Sequence, residues 1–264
     1  MNPAVTPSID HLEQTWRSIE AMCSDLTDED WETPSGCPGW SVKDLVSHLV
    51  DYESRALGRP GPEHVPVVLA HTKNALGEGN EVGVDFRRAT PGSEVLAEFR
   101  DVVKERLGQL QALSADDLQR EITTPAGPGT VADMLTLRVM DTWSHEQDIR
   151  RALGRRGHLT GGAVDETVEH FAQFLPLIVG KRAGAPDGST VVFAVGRHRY
   201  EIAVDGGRAQ MVAASPDAPS VELVMPPTTF VALVGGRTDA PDDVELRGDA
   251  ALGRTVLDQL GFMP

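Results

Sequence analysis

Hydrophobic residues recur at helical spacing over most of the first two thirds of the chain. Ile9, Leu12, Trp16 and Ile19 lie three or four positions apart, which predicts a helix with one buried face. The same spacing predicts further helices over residues 41–49, 93–113, 131–153 and 163–179. Amphipathic helices of this number and length are typical of a helical bundle. Residues 57–92 are rich in Gly, Pro and charge and give no clear pattern.

Helix ends carry their own signals in this half of the chain. Ser41 is followed three positions later by Asp44, an arrangement typical of the box that caps a helix N-terminus. Gly154 follows the helix predicted over 131–153, where a glycine often adopts the left-handed conformation that ends a helix. These two positions therefore predict where the second helix begins and where the fourth ends.

From about residue 189 the pattern changes from helical spacing to alternation. Short strands separated by Gly- and Asp-rich turns are predicted at 189–195, 197–204, 208–214, 220–225 and 244–248. Short helices are predicted around 227–236 and over 249–260. The sequence therefore predicts a two-domain α+β protein. We expect a helical bundle over residues 1–182 and a small α+β domain over 190–264.

Charge and composition narrow the classes of partner. The formal net charge is −16, with no basic cluster, which disfavours nucleic acid and anionic membrane surfaces as partners. The first residues lack the pattern of a secretory signal, and no apolar run approaches the roughly 20 residues of a membrane helix. Only two cysteines are present, too few for a disulfide framework. We therefore expect a cytoplasmic protein.

Cys37 lies in the turn-like segment S-G-C-P-G-W. No histidine or helix start nearby in the sequence would lower the pKa of its thiol. The sequence therefore favours a structural turn residue over a nucleophile at this position.

The helix predicted over 131–153 carries a polar stripe that could bind a metal ion. Asp141 and His145 are four residues apart, so their side chains lie on one helix face, which continues to Asp148. On the second helix, His48 adjoins the apolar stripe and is expected to point into the bundle or along its edge. Two imidazoles and a carboxylate form a typical zinc site that leaves a fourth position open.

Spacing alone favours a simpler interpretation of the same residues. Asp141 could pair with Arg138, His145 could pair with Asp148, and His48 could be a core histidine with its polar atoms satisfied. Pairs of Asp and His at this spacing are common by chance.

Two longer motifs favour the metal site over this simpler interpretation. The segments W-E-T-P-S-G-C-P-G-W-S-V-K-D-L-V-S-H-L and M-D-T-W-S-H-E-Q-D-I-R-R-A-L-G resemble the actinobacterial relatives of mycothiol-dependent maleylpyruvate isomerase. That family belongs to the DinB-like metal-binding four-helix bundles. The later strands, with G-G-R at 235–237 and R-G-D at 247–249, look like its sterol-carrier-protein-like C-terminal domain. The resemblance covers nearly the whole chain in the same order.

The resemblance implies a set of metal ligands. In the family, His, Glu and His side chains hold zinc, and these fall on His48, Asp141 and His145. This sequence departs from the family at Asp141, where the carboxylate is one methylene shorter. The resemblance further implies that the open zinc position receives the thiol of mycothiol as a thiolate. In that chemistry the thiolate adds to an electron-poor double bond of the substrate, the bond rotates, and sulfur leaves.

Other residues receive roles through the same resemblance. Arg237 of G-G-R is the first candidate for a catalytic cation that clamps an anionic substrate, and Arg87 and Arg88 are weaker ones. A solvated surface charge is an equally good interpretation of each arginine. Asp148 could orient His145 from behind the ligand shell, or form a simple ion pair on the helix surface.

The sequence thus predicts a metal-dependent enzyme that uses a small thiol, as an isomerase or a thiol transferase. A non-catalytic binding protein stabilised by a metal, and a metal-dependent hydrolase that activates water, are the alternatives. Three protein ligands with no nearby Cys favour catalysis over a structural metal, since structural zinc sites are usually closed by a fourth protein ligand. The expected partners are a small thiol and a small electrophilic or anionic substrate, and the expected assembly is a monomer or a homodimer.

Overall fold

The structure, a computed structural model, describes residues 6–67, 70–213, 218–237 and 243–262. The chain divides into two compact units, of which the first ends at Glu166 and the second begins at Thr167. This division lies inside a helix, earlier than the change of sequence pattern near residue 183. The predicted two-domain α+β class, with a helical part followed by a sheet part, is confirmed.

Helices make up most of the first unit. They are α1 Thr6–Cys23, α2 Asp28–Trp31, α3 Val42–Ala56, α4 Ala75–Arg87, α5 Gly92–Gln111, α6 Ala115–Gln119, α7 Val131–Ala152 and the start of α8 Gly162–Ala172. A two-stranded antiparallel hairpin, β1 Glu121–Thr124 and β2 Gly127–Thr130, precedes α7.

The four long helices form the predicted bundle. Helix α1 packs on α5 and α7, and α3 packs on the same two helices from the other side. Their apolar stripes meet in a common core that includes Ile19, Leu45, Phe99 and Trp143, all fully buried. Helix α7 therefore lies beside α3, the contact on which the candidate site depends.

Helix α3 is the most enclosed helix of the bundle, because α4 also packs against it. Every residue from 42 to 51 is buried, polar side chains included. Its N-terminus is capped as predicted, since the Ser41 hydroxyl accepts from the Asp44 backbone N–H and the Asp44 carboxylate accepts from the Ser41 N–H. Burial on all sides means that each polar group of α3 needs a partner inside the protein.

The second unit is built on a five-stranded sheet. Its strands are β3 Thr190–Val195, β4 His198–Asp205, β5 Arg208–Val212, β6 Val221–Met225 and β7 Glu245–Gly248, in the order β5-β4-β3-β6-β7. Strands β3 and β6 are parallel, with Val191 opposite Val221, and the other neighbours are antiparallel. Helices α9 Pro227–Val234 and α10 Ala250–Leu257 follow β6 and β7.

The structure differs from the sequence prediction in several places, and the short helices α2 and α6 and the hairpin of β1 and β2 were not predicted. Helix α4 occupies part of the segment 57–92, where the glycines and charges hid a helical pattern. The helix predicted over 163–179 is interrupted: α8 ends at Ala172, and a π-helix follows at Leu177–Arg182. Pro176, which lacks a backbone N–H, immediately precedes the π-helix. In the described part of the chain, no helix has the length and apolarity needed to span a membrane.

Candidate metal centre

Helices α3 and α7 bring the three predicted ligand residues together. His48 extends from α3, and Asp141 and His145 lie one turn apart on α7. The His48 Nε2 atom is 3.3 Å from Asp141 Oδ2, and His145 Nε2 is 3.5 Å from Asp141 Oδ1. The two imidazole rings are 5.0 Å apart between centroids and stand nearly perpendicular. We call these three residues the His–Asp–His cluster.

The spacing of the ligand atoms fits a zinc-sized ion. Bonds of about 2.0–2.2 Å place the ligand atoms of a tetrahedral site roughly 3.4 Å apart. The distance from His48 Nε2 to Asp141 Oδ2, 3.3 Å, and that from His145 Nε2 to Asp141 Oδ1, 3.5 Å, are each close to that value. One ligand atom from each residue lies within 4.8 Å of the other two. The shorter carboxylate of Asp141 therefore reaches both imidazoles.

Asp141 is held as a carboxylate by its neighbours. Burial alone would raise its pKa, but Arg138, His145 and His48 together hold the pKa well below its ordinary value. The Arg138 guanidinium donates to Asp141 Oδ2 over 2.7 Å. Because Arg138 occupies Oδ2, the Oδ1 atom that faces His145 is the oxygen better placed for a metal ion.

Arg138 is itself fixed by a buried network. Its guanidinium pairs with Glu53 of α3 at 2.8 Å and lies 3.5 Å above the ring of Tyr52. Arg106 of α5 pairs with the other oxygen of Glu53 at 3.2 Å. The charge of Arg138 is therefore shared between two carboxylates, which reduces its repulsion of a cation bound at Asp141.

His145 is oriented from its other side by Asp148. The His145 Nδ1 atom is 3.3 Å from Asp148 Oδ2, and Arg151 donates to Asp148 Oδ1 over 3.2 Å. Burial lowers the pKa of His145, but Asp141 and Asp148 raise it well above its ordinary value. A proton on Nδ1 directed at Asp148 leaves Nε2 free to act as a ligand.

His48 differs from His145 in its surroundings. Only 3% of the residue is exposed, and burial lowers its pKa below the ordinary value despite Asp141. Its Nδ1 atom has no hydrogen-bond partner within the described part of the chain. A buried imidazole that is neutral and incompletely bonded is not the satisfied core histidine of the simpler interpretation.

Trp40 forms a wall beside both imidazoles. Its ring centroid is 5.2 Å from that of His48 and 6.1 Å from that of His145. The indole N–H donates to Glu81 Oε2 over 2.8 Å, which fixes the ring. Asp141 keeps 30% of its side chain exposed, so the cluster is accessible to solvent at this carboxylate.

The structure contains both ion pairs of the simpler interpretation, and it also brings His48, Asp141 and His145 together. Asp141 pairs with Arg138, and His145 pairs with Asp148. Asp141 also faces both His48 and His145. Asp148 does both things that the sequence left open: it contacts His145 and pairs with Arg151. The pair with Asp148 uses Nδ1 of His145 and leaves its Nε2 atom available, whereas Arg138 shares the Oδ2 atom of Asp141 with His48 and leaves Oδ1 to His145.

The predicted arginines lie elsewhere. Arg87 pairs with Glu98 at 2.7 Å, and Arg88 pairs with Glu81 and Asp85, each at 2.7 Å. Both are committed to ion pairs inside the first unit and are poorly suited to clamp a substrate. Arg237 belongs to the second unit, where it donates to the carbonyl oxygen of Gly235 over 2.7 Å. Its catalytic role stays a prediction.

Sequence reasoning missed two neighbours of the cluster. The Cys37 thiol donates to Asp148 Oδ2 over 3.3 Å, which brings it beside His145 although no histidine adjoins it in sequence. Trp40 lies in the same C-P-G-W turn. The signal was present, because this turn immediately precedes the helix that carries His48, but only the fold shows which side of the turn faces α7.

Family models match both parts of the chain, and both models describe the same family. A family model described as the mycothiol maleylpyruvate isomerase N-terminal domain matches residues 12–150. A second, described as the MDMPI C-terminal domain, matches residues 165–255. Two uncharacterized proteins, from two strains of Mycobacterium tuberculosis, are each 27% identical over 150 residues, which is 56% of this chain. The match spans 57% of the length of these relatives.

Solved structures agree with this fold. The crystal structure of the mycothiol-dependent maleylpyruvate isomerase is similar with a TM-score of 0.56 at 16% identity, over 92% of both chains. A histidine-to-alanine mutant of that isomerase gives a TM-score of 0.54 at 15% identity, again over 92% of both chains. At this level of identity the likeness shows the fold.

Proposed function

The chain belongs to the mycothiol maleylpyruvate isomerase family, and we propose that it is a metal-dependent enzyme that uses a low-molecular-weight thiol. Mycothiol is the proposed thiol, because it is the one named for the family and for the similar isomerase. The proposed reaction is isomerisation, or transfer of the thiol, on a small electrophilic substrate. A cytoplasmic location stays a prediction.

One observation carries this proposal: three ligand atoms converge from two helices, a number that would leave the fourth position of a tetrahedral zinc ion open. His48 Nε2, an oxygen of Asp141 and His145 Nε2 are the proposed ligands, and zinc is the proposed ion. A divalent metal bound there would keep a thiol in its nucleophilic thiolate form at neutral pH. The partial exposure of Asp141 gives that fourth ligand a path from solvent.

The protein's own residues prepare the ligands for this work. Arg138 keeps Asp141 ionised, and burial keeps His48 neutral. Asp148 fixes the ring of His145 so that its Nε2 atom faces Asp141. Trp40 excludes water from one side of the imidazoles. Each of these contacts lowers the cost of organising the site before a ligand arrives.

A hydrolase that activates water is less well supported. Such a reaction needs a general base, and Asp148 is the carboxylate that follows His145 on the same helix face, but its two oxygens are engaged by His145, Cys37 and Arg151. A carboxylate committed to three donors is a poor acceptor for a further proton. The geometry therefore favours a thiol over water as the nucleophile.

Metal analysis of the purified protein is the first test. We expect about one zinc ion per chain in the wild type and a loss of at least roughly 90% of it when His48→Ala is combined with Cys37→Ser, which removes the thiol beside His145 as a substitute ligand. His11→Ala combined with Cys37→Ser is the matched control, because His11 is a histidine of the same unit that pairs with Glu166 at 2.7 Å instead. Equal metal content in the wild type and in the protein with both His48→Ala and Cys37→Ser would remove the proposed site.

Thiol binding and turnover are the second test. Calorimetric titration of the zinc-loaded protein with mycothiol should show one site, and His48→Ala should lose it. Isomerisation of maleylpyruvate, the substrate named for the similar isomerase, is the first activity to assay. Zinc without thiol affinity would contradict the thiol-dependent function and favour a binding protein or a hydrolase.

A further inference from the structure

A second set of ligand atoms lies on the opposite side of the His145 ring. The Cys37 thiol and His145 Nδ1 both face Asp148 Oδ2, each at 3.3 Å. One ligand atom from each of the three residues lies within 4.8 Å of the other two. His145 and Asp148 are buried and Cys37 is half-buried, so the set is shielded but reachable.

We propose that Cys37, His145 and Asp148 form a second metal position, which takes soft divalent ions and excludes occupation of the His–Asp–His cluster. Zinc bonds of about 2.3 Å to sulfur and 2.0–2.2 Å to nitrogen or oxygen separate tetrahedral ligands by roughly 3.4–3.6 Å. The observed 3.3 Å separations are close to these values. This position requires neither a thiol cofactor nor a substrate, so it goes beyond the function proposed above.

The two positions repeat one design on either side of His145. Asp141 and Asp148 lie four before and three after it on α7, and each has one oxygen paired with an arginine, Arg138 and Arg151. Each also has an oxygen that faces a ring nitrogen of His145, at 3.5 Å and 3.3 Å. The arginines neutralise part of each carboxylate and hold it in place.

The tautomer of His145 makes the two positions exclusive. With a metal on Nε2, the Nδ1–H donates to Asp148, as the first position requires. With a metal on Nδ1, the Nε2–H donates to Asp141. A neutral imidazole offers one lone pair, so only one side can be filled at a time.

The donor types decide which ions prefer each side. A thiolate favours soft ions such as Cd²⁺ and Zn²⁺, whereas imidazole and carboxylate also accept harder ions such as Mn²⁺. Binding at Cys37 displaces the thiol proton, which leaves to solvent as the sulfur becomes a ligand. Occupation of the second position would therefore remove the metal from the proposed catalytic position.

Cobalt spectroscopy tests this assignment directly. Variants His48→Ala and Asp141→Ala each remove the first position and keep the second, and either one suffices if the other fails to fold. Titrated with Co²⁺ in the absence of added thiol, they should bind one ion and show a thiolate-to-cobalt charge-transfer band. Adding Cys37→Ser should abolish the band and weaken Co²⁺ binding at least roughly tenfold. Adding Cys23→Ala, the matched control, should leave both unchanged.

Alkylation of the wild type gives an independent measurement. Iodoacetamide should modify Cys37, and Cd²⁺ should slow this at least roughly tenfold while Mn²⁺ does not. Cys23 is an internal control, because burial raises the pKa of its thiol to about 12. The second position is wrong if the folded His48→Ala protein binds Co²⁺ without the band, if the band survives Cys37→Ser, or if Cd²⁺ leaves Cys37 alkylation unchanged. His48→Ala removes the proposed catalytic position but keeps this second position, so the proposed function and the second metal position can be rejected independently.

Discussion

Two polar clusters lie against helix α3, and they differ in the length of their contacts and in their exposure to solvent. In the His–Asp–His cluster, two imidazole nitrogens face the oxygens of one carboxylate. In the second cluster, which we call the glutamate network, the carboxylate of Glu81 receives the indole N–H of Trp40 at 2.8 Å and His71 Nε2 at 2.9 Å. Arg88 completes the network with an ion pair at 2.7 Å.

Each carboxylate has three nitrogen partners, so the number of partners does not separate the two clusters. Glu81 is fully buried and its contacts are short, although its Oε1 atom meets Arg88 as an ion pair without the alignment of a hydrogen bond. In the His–Asp–His cluster the two imidazole contacts are 3.3 and 3.5 Å, near the spacing of zinc ligands, and the Asp141 side chain is 30% exposed. Short, enclosed contacts therefore favour a structural network, whereas longer and accessible contacts favour a metal site.

Removal of His145 should give the largest effect and separates the clusters most sharply. His145→Ala takes away a ligand of both proposed metal positions, so metal affinity should fall by about 1000-fold. Of the glutamate network, Trp40 lies beside His145, and its N–H remains bonded to Glu81, so the fold should survive. Competition titration with a chromophoric chelator measures the affinity, with circular dichroism as the check on folding. Retained metal affinity in folded His145→Ala would contradict both positions.

Removal of Glu81 should affect stability and leave metal binding alone. Glu81→Ala leaves Arg88, His71 and the Trp40 N–H without their shared acceptor. We expect the free energy of unfolding to fall by about 3 kcal/mol, near the lower limit for a broken buried pair. Arg88 keeps its pair with Asp85, which limits the loss. Urea unfolding of the metal-free proteins measures this. Loss of metal from folded Glu81→Ala would show that the two clusters act as one unit through Trp40.

Asp148→Asn tests the orientation of His145. The amide keeps the size of the carboxylate but removes its charge, and we expect zinc affinity to fall about 30-fold, within the range for groups that support a ligand. Asp101, exposed on α5, is the matched control as Asp101→Asn. Isothermal titration with zinc compares the two. Equal affinity in both variants would leave Asp148 as a helix ion pair with no influence on the metal.

The pH dependence of zinc binding gives the smallest effect and distinguishes the two histidines. Zinc binds neutral imidazole, so an ion that binds below the raised pKa of His145 must displace a proton. The pKa of His48 is lowered, so this residue is already neutral at neutral pH and releases no proton when zinc binds. Affinity should therefore rise about tenfold per pH unit up to the pKa of His145 and then level off.

Calorimetry in buffers of different ionisation enthalpy counts the protons released. About one per zinc is expected below the pKa of His145, and fewer in Asp148→Asn, whose loss of charge lowers that pKa. Release of two protons in the wild type would contradict the assignment of His48 as neutral.

Much of the fold could be predicted from local signals. Helix spacing, the cap at Ser41 and Asp44, and the glycine at 154 act over a few residues, so they are visible without the rest of the chain. Gly154 has the left-handed φ of 64° that its position predicted. Helix α4 was missed because its stability comes from packing on α3, a contact that leaves no periodic signal among its glycines and charges.

The sequence by itself determined the residue types of the candidate site and the pairing of Asp141 with His145 on one helix face. The motif resemblance assigned His48 to the same ligand set, but only the tertiary structure brings it beside them, because it lies 93 positions from Asp141 along the chain and meets it through the packing of α3 on α7. The same packing decided that Cys37, Trp40 and Asp148 surround His145. Side-chain spacing within a helix follows from backbone geometry, whereas the meeting of two helices follows from the burial of their whole faces.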